Sequence, residues 1–132
     1  MGIAHHGGRV LVVEDNSDLR HILRVALEFY GYRVSEAENG RTAIEIALSD
    51  NFDVILLDLS LPDIEGTSVA ETLKKRSETA YIPIIGCSAY LGTEWRENAL
   101  RSGMAAYLEK PIALDEIAAA IARLLPRHSL AS

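Results

Sequence analysis

The stretch Val54-Ile-Leu-Leu-Asp58-Leu-Ser-Leu-Pro62-Asp-Ile-Glu-Gly66 decides the fold of this chain. Four consecutive apolar residues precede Asp58, and a polar, proline-containing segment follows it. A strand that is apolar on both faces is typical of the centre of a parallel sheet with helices on both sides. We therefore expect an α/β protein in which Asp58 stands at the carboxyl end of a buried strand.

The same alternation extends along the chain on both sides of this stretch. Short apolar or β-branched runs, separated by about 20 to 30 residues, leave room for a crossover helix each time. The predicted strands are Arg9–Val13, Tyr32–Ser35, Asp53–Asp58, Tyr81–Cys87 and Ala105–Leu108. Right-handed crossovers between them give an open, doubly wound sheet, and such sheets bind ligands at the carboxyl ends of their strands.

Five segments between and after these runs carry apolar residues at helical spacing. The clearest segment follows the first strand, and its predicted inward face comprises Leu19, Ile22, Leu23, Ala26, Leu27 and Tyr30. Asn16 or Ser17 is expected to cap this helix and Gly31 to end it. The next three helices are predicted over Gly40–Ser49, Gly66–Arg76 and Thr93–Ser102, the last with Trp95, Ala99 and Leu100 as its apolar positions. The fifth helix has the apolar stripe Leu114, Ile117, Ala118, Ile121, Leu124 and Leu125.

Composition narrows the function classes. Of 132 residues, 48% are hydrophobic and 24% charged, which is typical of one globular domain. The 13 basic and 19 acidic residues give a formal net charge of -6, which argues against direct nucleic-acid binding. No apolar run approaches the roughly 20 residues that span a bilayer, and no signal peptide is recognisable, so we expect a cytoplasmic protein without a membrane partner. The single Cys87 is interpreted as a buried spectator thiol.

Three acidic residues follow two of the predicted strands. Glu14 and Asp15 end the first strand, and Asp58 ends the third. If these strands are neighbours, like charges about 4 Å apart repel by about 4 kcal/mol per pair at an effective dielectric near 20, so the cluster favours a divalent cation. Oxygen ligands of this kind suit Mg²⁺. An acidic pair after a single strand is more often a solvated loop or a helix cap, and the third carboxylate is what favours a metal site.

Two further groups with phosphoryl-binding chemistry are predicted at the same sheet edge. Ser88 follows the fourth strand and supplies a hydroxyl, and Lys110 follows the fifth and supplies an ammonium group. Each alone is usually a turn residue or a surface charge. Together with the acids they provide a carboxylate nucleophile, metal ligands, and a donor and a cation that could hold an incoming phosphoryl group.

The sequence resembles the response-regulator receiver domains of two-component signalling, which are CheY-like. Four motifs carry the resemblance in order: Val-Val-Glu14-Asp15-Asn16, Asp58-Leu-Ser-Leu-Pro62-Asp-Ile-Glu-Gly66, Ser88-Ala89 and Tyr107-Leu-Glu-Lys110-Pro111. The resemblance implies a flavodoxin-like, five-stranded parallel sheet in the order 2-1-3-4-5 with five helices. It spans residues 9–125, with residues 1–8 and 126–132 expected as short flexible tails.

The resemblance also implies the roles of the acidic residues. Asp58 would be the phosphoacceptor, taking a phosphoryl group from a phosphohistidine or from a small donor such as acetyl phosphate. Asp15, Asp58 and the backbone carbonyl of Ser60 would bind Mg²⁺ directly, and Glu14 would act mainly through bound water.

The remaining site residues follow from the same resemblance. Ser88 would donate its hydroxyl to the phosphoryl group, Lys110 would form an ion pair with it, and Pro111 would follow a peptide bond that is often cis in this family. Tyr107 occupies the aromatic switch position: its ring would rotate inward when Ser88 moves, although a half-buried strand aromatic is the alternative interpretation. We also hypothesise that Tyr90 shields the acyl phosphate from hydrolysis.

The implied function is a phosphorylation switch without turnover, served by a histidine kinase or a histidine phosphotransfer protein and read by a downstream protein target. The initial Met and short tail slightly favour a stand-alone protein, but an excised receiver of a hybrid kinase or larger regulator stays open, as does a homodimer. An aspartate-nucleophile phosphatase is the alternative, although that class needs a second aspartate where Ser60 stands. A nucleotide or flavin binder would need a glycine-rich loop after the first strand, and the sequence lacks one.

Overall fold

The computed structural model describes residues 7–89 and 92–125. Its described part contains one parallel sheet in the order β2-β1-β3-β4-β5, which confirms the predicted topology. The strands are β1 (Arg9–Val13), β2 (Arg33–Ala37), β3 (Val54–Asp58), β4 (Ile84–Ser88) and β5 (Ala106–Glu109). The helices are α1 (Ser17–Phe29), α2 (Gly40–Ser49), α3 (Gly66–Lys74), α4 (Thr93–Arg101) and α5 (Leu114–Leu124).

The sheet separates two hydrophobic layers, because successive side chains of a strand point to opposite faces. On one face, Leu11, Ile55 and Leu57 pack among residues of α2, α3 and α4. On the other face, Val12 and Leu56 pack among residues of α1 and α5. The apolar residues of β1 and β3 are therefore buried on both faces, so polar side chains stand at the ends of these strands.

The ends of α1 form as the sequence predicts. The Asn16 side chain accepts a hydrogen bond from the Leu19 amide at 2.8 Å, so Asn16 is the N-cap. Gly31 ends the turn that follows the helix with a φ of 97°, a conformation that favours glycine. The next amide, that of Tyr32, donates to the Leu27 carbonyl at 3.1 Å. Tyr32 therefore belongs to the helix end, and the predicted start of β2 at this residue was wrong by one position.

The start of β3, the end of β4, both ends of β5 and the end of α4 also differ from the prediction by one position. Three other predicted ends differ by two or three positions. β2 continues beyond Ser35 to Ala37 because it is an edge strand whose polar Glu36 is paired with arginines of α1. β4 begins at Ile84 rather than Tyr81, since Pro83 has no amide hydrogen for the ladder and the residues before it form turns. α3 ends at Lys74, two residues before the predicted end.

The inward faces of three helices are narrower than predicted. Ile22 on α1 and Leu100 on α4 are 51% and 47% exposed, and Trp95 and Leu114 are also exposed. The buried residues are Leu23 and Leu27 on α1, with the predicted Leu19 and Tyr30 packed against the same core, but only Ala99 on α4. Apolar periodicity identified these helices correctly and overestimated how much of each is covered.

The predicted tails and the single thiol can also be compared with the structure. Gly8, placed by sequence in the N-terminal tail, is buried, and its carbonyl accepts a hydrogen bond from the Arg33 amide at 2.9 Å. Residues 1–6 and 126–132 lie outside the described part, so the predicted tails are untested there. Cys87 is buried, as predicted, and burial raises the pKa of its thiol to about 12. None of the described helices has the length and apolar character needed to cross a bilayer.

Candidate functional site

Strand register brings the predicted acidic residues together. β1 and β3 are paired in parallel with Val13 opposite Leu57, so the residues that follow both strands emerge at the same edge of the sheet. Carboxylate oxygens of Glu14, Asp15 and Asp58 all lie within 4.8 Å of one another. The sequence-based expectation of a three-carboxylate cluster is thus met by the geometry.

Asp58, the candidate nucleophile, is almost completely buried. It is 3% exposed and ends β3, every residue of which is buried. Its Oδ1 accepts a hydrogen bond from the Ser60 amide at 3.0 Å, and its Oδ2 lies 3.4 Å from the Lys110 ammonium nitrogen. These contacts orient the carboxylate with both oxygens engaged by donors.

Glu14 is held as firmly as Asp58. It is 2% exposed, its Oε1 accepts from Lys110 Nζ at 2.9 Å, and its Oε2 accepts from the Asn16 amide at 3.1 Å. Burial raises the pKa of Glu14, the nearby Asp58 adds to this effect, and Lys110 opposes it. Lys110 thus lies closer to Glu14 than to Asp58, a contact that the motifs did not predict.

Lys110 is a cation shared between two acids. Partial burial lowers the pKa of its ammonium group, but the hydrogen bond to Glu14 and the charges of Asp58 and Glu14 outweigh that effect, so the pKa is raised. The ammonium therefore stays protonated near neutral pH. Its backbone amide also donates to the Ser88 carbonyl at 2.8 Å, which ties the end of β5 to the end of β4.

Asp15 is the accessible member of the cluster. Its side chain is exposed, unlike those of Glu14 and Asp58. It lines a cavity of about 550 Å³, whose wall also includes Ser60 and Trp95. A ligand approaching from solvent would therefore meet Asp15 before the buried carboxylates.

Gly66 shows why a glycine belongs in the segment after Asp58. A Cβ at this position would come within 2.6 Å of the Leu59 Cα and 2.8 Å of the Asp58 carbonyl oxygen, both backbone atoms. The Gly66 amide donates to the Leu59 carbonyl at 3.0 Å. The start of α3 is thereby packed directly on the backbone that carries the candidate nucleophile.

The β4 and β5 side of the site holds Ser88, Tyr107 and Pro111, as predicted from the order of the strands. Ser88 is fully buried at the end of β4, and the Lys110–Pro111 peptide is cis. Tyr107 is 2% exposed, its hydroxyl hydrogen-bonds with the Ser88 side chain, and the Arg96 guanidinium lies 5.5 Å from the ring centroid. The ring is thus already inside and not half-buried. Tyr90 lies outside the described residues.

The donor set fits a magnesium ion. Three carboxylates at one point are hard oxygen ligands, and the exposed Asp15 leaves room for the waters that Mg²⁺ usually retains. Lys110 alone leaves an excess of negative charge, which a divalent cation would neutralise. The residues present are therefore suited to this ion.

Sequence reasoning missed one residue beside the cluster. Arg20, in the first turns of α1, donates from Nη1 to the Glu14 carbonyl at 2.8 Å. Its position on the polar side of α1 was the available signal, but no sequence rule specifies which carbonyl an arginine reaches.

Comparison with known families is consistent with this geometry. The model of the family described as "Response regulator receiver domain" matches residues 10–122. The response regulator MprA of Mycolicibacterium vanbaalenii is 36% identical over 119 residues, which cover 90% of this chain and 51% of MprA. The chain spans only 26% of the regulatory protein AtoC of Escherichia coli, at 33% identity over 92% of this chain. It therefore corresponds to a part of these curated relatives.

Solved structures share the fold over nearly their whole length. Chemotaxis protein CheY4 of Vibrio cholerae superposes with a TM-score of 0.86 at 26% identity, covering 90% of this chain and 99% of CheY4. The receiver domain of the sensor histidine kinase PA1611 of Pseudomonas aeruginosa superposes with a TM-score of 0.83 at 32% identity, covering 89% and 97%. That structure holds a magnesium ion coordinated in its active-site cleft.

Proposed function

The chain belongs to the family of response regulator receiver domains of two-component signalling, and on this basis we propose that Asp58 is its phosphoacceptor. One observation supports this choice above the others. The buried Asp58 carboxylate lies within 4.8 Å of the Glu14 and Asp15 carboxylates, and at 3.4 Å it is held less tightly by the Lys110 ammonium than Glu14 is at 2.9 Å. A nucleophile with a cation on one side and metal-binding acids on the other suits phosphoryl transfer.

The proposed reaction moves one phosphoryl group. A carboxylate oxygen of Asp58 attacks the phosphorus of a phosphohistidine, the new P–O bond forms, and the P–N bond to the imidazole breaks. The imidazole leaves and the product is an acyl phosphate. Lys110 offsets the added negative charge, and the Ser88 hydroxyl donates to a phosphoryl oxygen.

The magnesium ion would be held by Asp15, Asp58 and the backbone carbonyl of Ser60. Glu14 would act mainly through bound water. When bound, the ion supplies neutralisation of the charge on the transferring phosphoryl group. Glu14 is already occupied by Lys110 and the Asn16 amide, which favours an indirect role. The hydrogen bond that the Ser60 amide donates to the Asp58 carboxylate keeps the Ser60 backbone beside the nucleophile.

The acyl phosphate would act as a switch through Ser88 and Tyr107. An acyl phosphate adds about 1.5 to 2 negative charges, so Ser88 and Lys110 must change partners to meet it. The Tyr107 hydroxyl is hydrogen-bonded to the Ser88 side chain, so a movement of Ser88 would be transmitted to Tyr107 and through it to β5. The surface affected is the face formed by α4, β5 and α5, which we propose contacts the downstream protein.

Partners and setting follow from the family as proposals. A histidine kinase or histidine phosphotransfer protein would supply the phosphoryl group in the cytoplasm. The formal charge of -6 argues against direct nucleic-acid binding by this domain. The domain would be modified once per signal and would not turn over a substrate. The aspartate-nucleophile phosphatase considered from the sequence is not supported, because the matches are to receiver domains.

Incubation with acetyl phosphate and MgCl₂, followed by intact-mass measurement, tests the phosphoacceptor. The wild type is expected to gain one phosphoryl group, and Asp58→Asn none. Asp53→Asn is the matched control, since Asp53 directly precedes the same strand at its opposite end. Equal labelling of Asp58→Asn and the wild type would place the phosphoryl group elsewhere and overturn the proposal.

A further inference from the structure

Arg20 connects the candidate metal site to the edge of the sheet. Its Nη1 donates to the Glu14 carbonyl at 2.8 Å, and its Nε pairs with Glu36 Oε1 on β2 at 2.9 Å. The Arg20 side chain is 16% exposed, so these contacts are shielded from solvent. The planar guanidinium fork can hold two acceptors in a fixed relation, which a lysine cannot do.

The carbonyl that Arg20 contacts belongs to the peptide unit joining Glu14 to Asp15. Because a peptide unit is planar, fixing its oxygen also fixes the direction in which Asp15 leaves Glu14. The other side of Glu14 is fixed as well, since its amide donates to the Ala37 carbonyl of β2 at 3.0 Å. The backbone that precedes Asp15 is thus anchored to β2 through both of its polar groups.

The Asp15 carboxylate lacks such anchors of its own. It accepts no hydrogen bond from residues in the described ranges 7–89 and 92–125, whereas Glu14 and Asp58 each accept two. Its nearness to Asp58 therefore depends on the backbone that presents it.

We propose that Arg20 is a positioning residue for the magnesium site. Anchored on Glu36, it holds the Glu14–Asp15 peptide so that the exposed Asp15 carboxylate stays within reach of Asp58. This inference rests on the proposed function, because it concerns the same metal site. It assigns to Arg20 a role in cation affinity although Arg20 is itself positively charged.

That charge makes the direction of the effect informative. Removing a positive charge near a cation site would tighten magnesium binding if Arg20 acted only through its field. Removing an anchor of Asp15 would weaken binding, by on the order of tenfold for a residue that orients a metal ligand. The two explanations thus predict opposite signs.

Equilibrium titration with MgCl₂ at constant ionic strength measures the difference. Binding is followed by calorimetry and by the fluorescence of Trp95, which lines the same cavity as Asp15. Arg20→Gln and Arg20→Lys are both expected to raise the magnesium Kd about tenfold. Arg24→Gln is the matched control: Arg24 also pairs with Glu36, at 2.8 Å, but the Glu14 carbonyl is bonded to Arg20. Its Kd should stay within about twofold of the wild type.

The outcomes separate this inference from the function it rests on. Tighter or unchanged binding by Arg20→Gln, or unchanged binding by Arg20→Lys, would overturn the positioning role alone. Equal weakening by Arg24→Gln would assign the effect to Glu36 pairing in general and overturn it too. A wild-type protein that binds no magnesium would overturn the metal site and the inference together. Circular dichroism of each variant checks folding, and Arg20→Lys preserves the charge if Arg20→Gln is unstable.

Discussion

At the scale of single residues, Lys110 is the group whose loss the site should tolerate least. One ammonium lies 2.9 Å from Glu14 and 3.4 Å from Asp58, and both acids are almost completely buried. In Lys110→Met, two buried carboxylates lose their shared cation. The free energy of unfolding at pH 7 is expected to fall by about 1–3 kcal/mol, the usual penalty for leaving a buried group unsatisfied.

Urea unfolding measures this loss, and Lys75→Met provides the control. Lys75 is exposed at the end of α3 and should change stability little when its charge is removed. If both variants unfold at the same urea concentration as the wild type, the Lys110 pairs contribute nothing to folding. Lys110 would then matter only for the phosphorylated state, in which it would pair with the acyl phosphate.

The chemistry of these residues could be predicted from sequence, but their contacts could not. Asp58, Ser88 and Lys110 were identifiable because each follows an apolar run, and parallel strands place such positions at one edge. The choice of Lys110 to approach Glu14 most closely depends on side-chain rotamers and burial. The same is true of Arg20, whose reach to the Glu14 carbonyl depends on how α1 packs against β2.

At the scale of elements, Asp63 joins the loop after Asp58 to the start of α2. Its Oδ1 accepts from the Gly40 amide at 2.8 Å and its Oδ2 from the Arg41 amide at 2.9 Å. Partial desolvation raises the pKa of Asp63, but these backbone hydrogen bonds outweigh it, and the pKa is lowered. The carboxylate therefore stabilises the folded state when it is ionised.

The sign of the pH dependence follows from this lowered pKa. The contribution of Asp63 is fully present above its usual pKa and is lost as the pH falls through the lower value of the folded state. At pH 7, Asp63→Asn should thus unfold at a lower urea concentration than the wild type, and the difference should shrink as the pH falls below the usual aspartate pKa. A difference that persists unchanged at low pH would show that the carboxylate charge is not what anchors α2.

Element boundaries show what a pattern of apolar residues can and cannot resolve. α2 begins and ends where predicted, and its start is fixed by a local signal, since Asn39 caps the helix by accepting from the Thr42 amide. β2 was predicted two residues short because Glu36 is polar, and its pairing with Arg20 and Arg24 joins segments distant in sequence. Local rules therefore locate the elements and the capped helix ends, whereas long-range pairs decide ends such as that of β2.

At the scale of the whole molecule, the order of the strands creates the site. Because β1 lies between β2 and β3, Glu14 and Asp15 are brought beside Asp58, and β4 and β5 add Ser88 and Lys110 from the other side. This arrangement was predictable from strand spacing together with family resemblance. The buried position of Tyr107 was not, since it depends on the shape of the space between α4 and β5 and on the Arg96 contact.

Magnesium should therefore stabilise the domain as a unit. An ion that binds only the folded state adds about 2.7 kcal/mol to the free energy of unfolding at 100 times its Kd. Without magnesium, Asp15→Asn should unfold at a higher urea concentration than the wild type, because one of three clustered charges is gone. Added magnesium should raise the free energy of unfolding of Asp15→Asn much less than that of the wild type. Urea titrations with MgCl₂ and with NaCl of equal ionic strength separate specific binding from screening. If Asp15→Asn gains as much from magnesium as the wild type, Asp15 is not a ligand, and the ion must be held by the buried carboxylates alone.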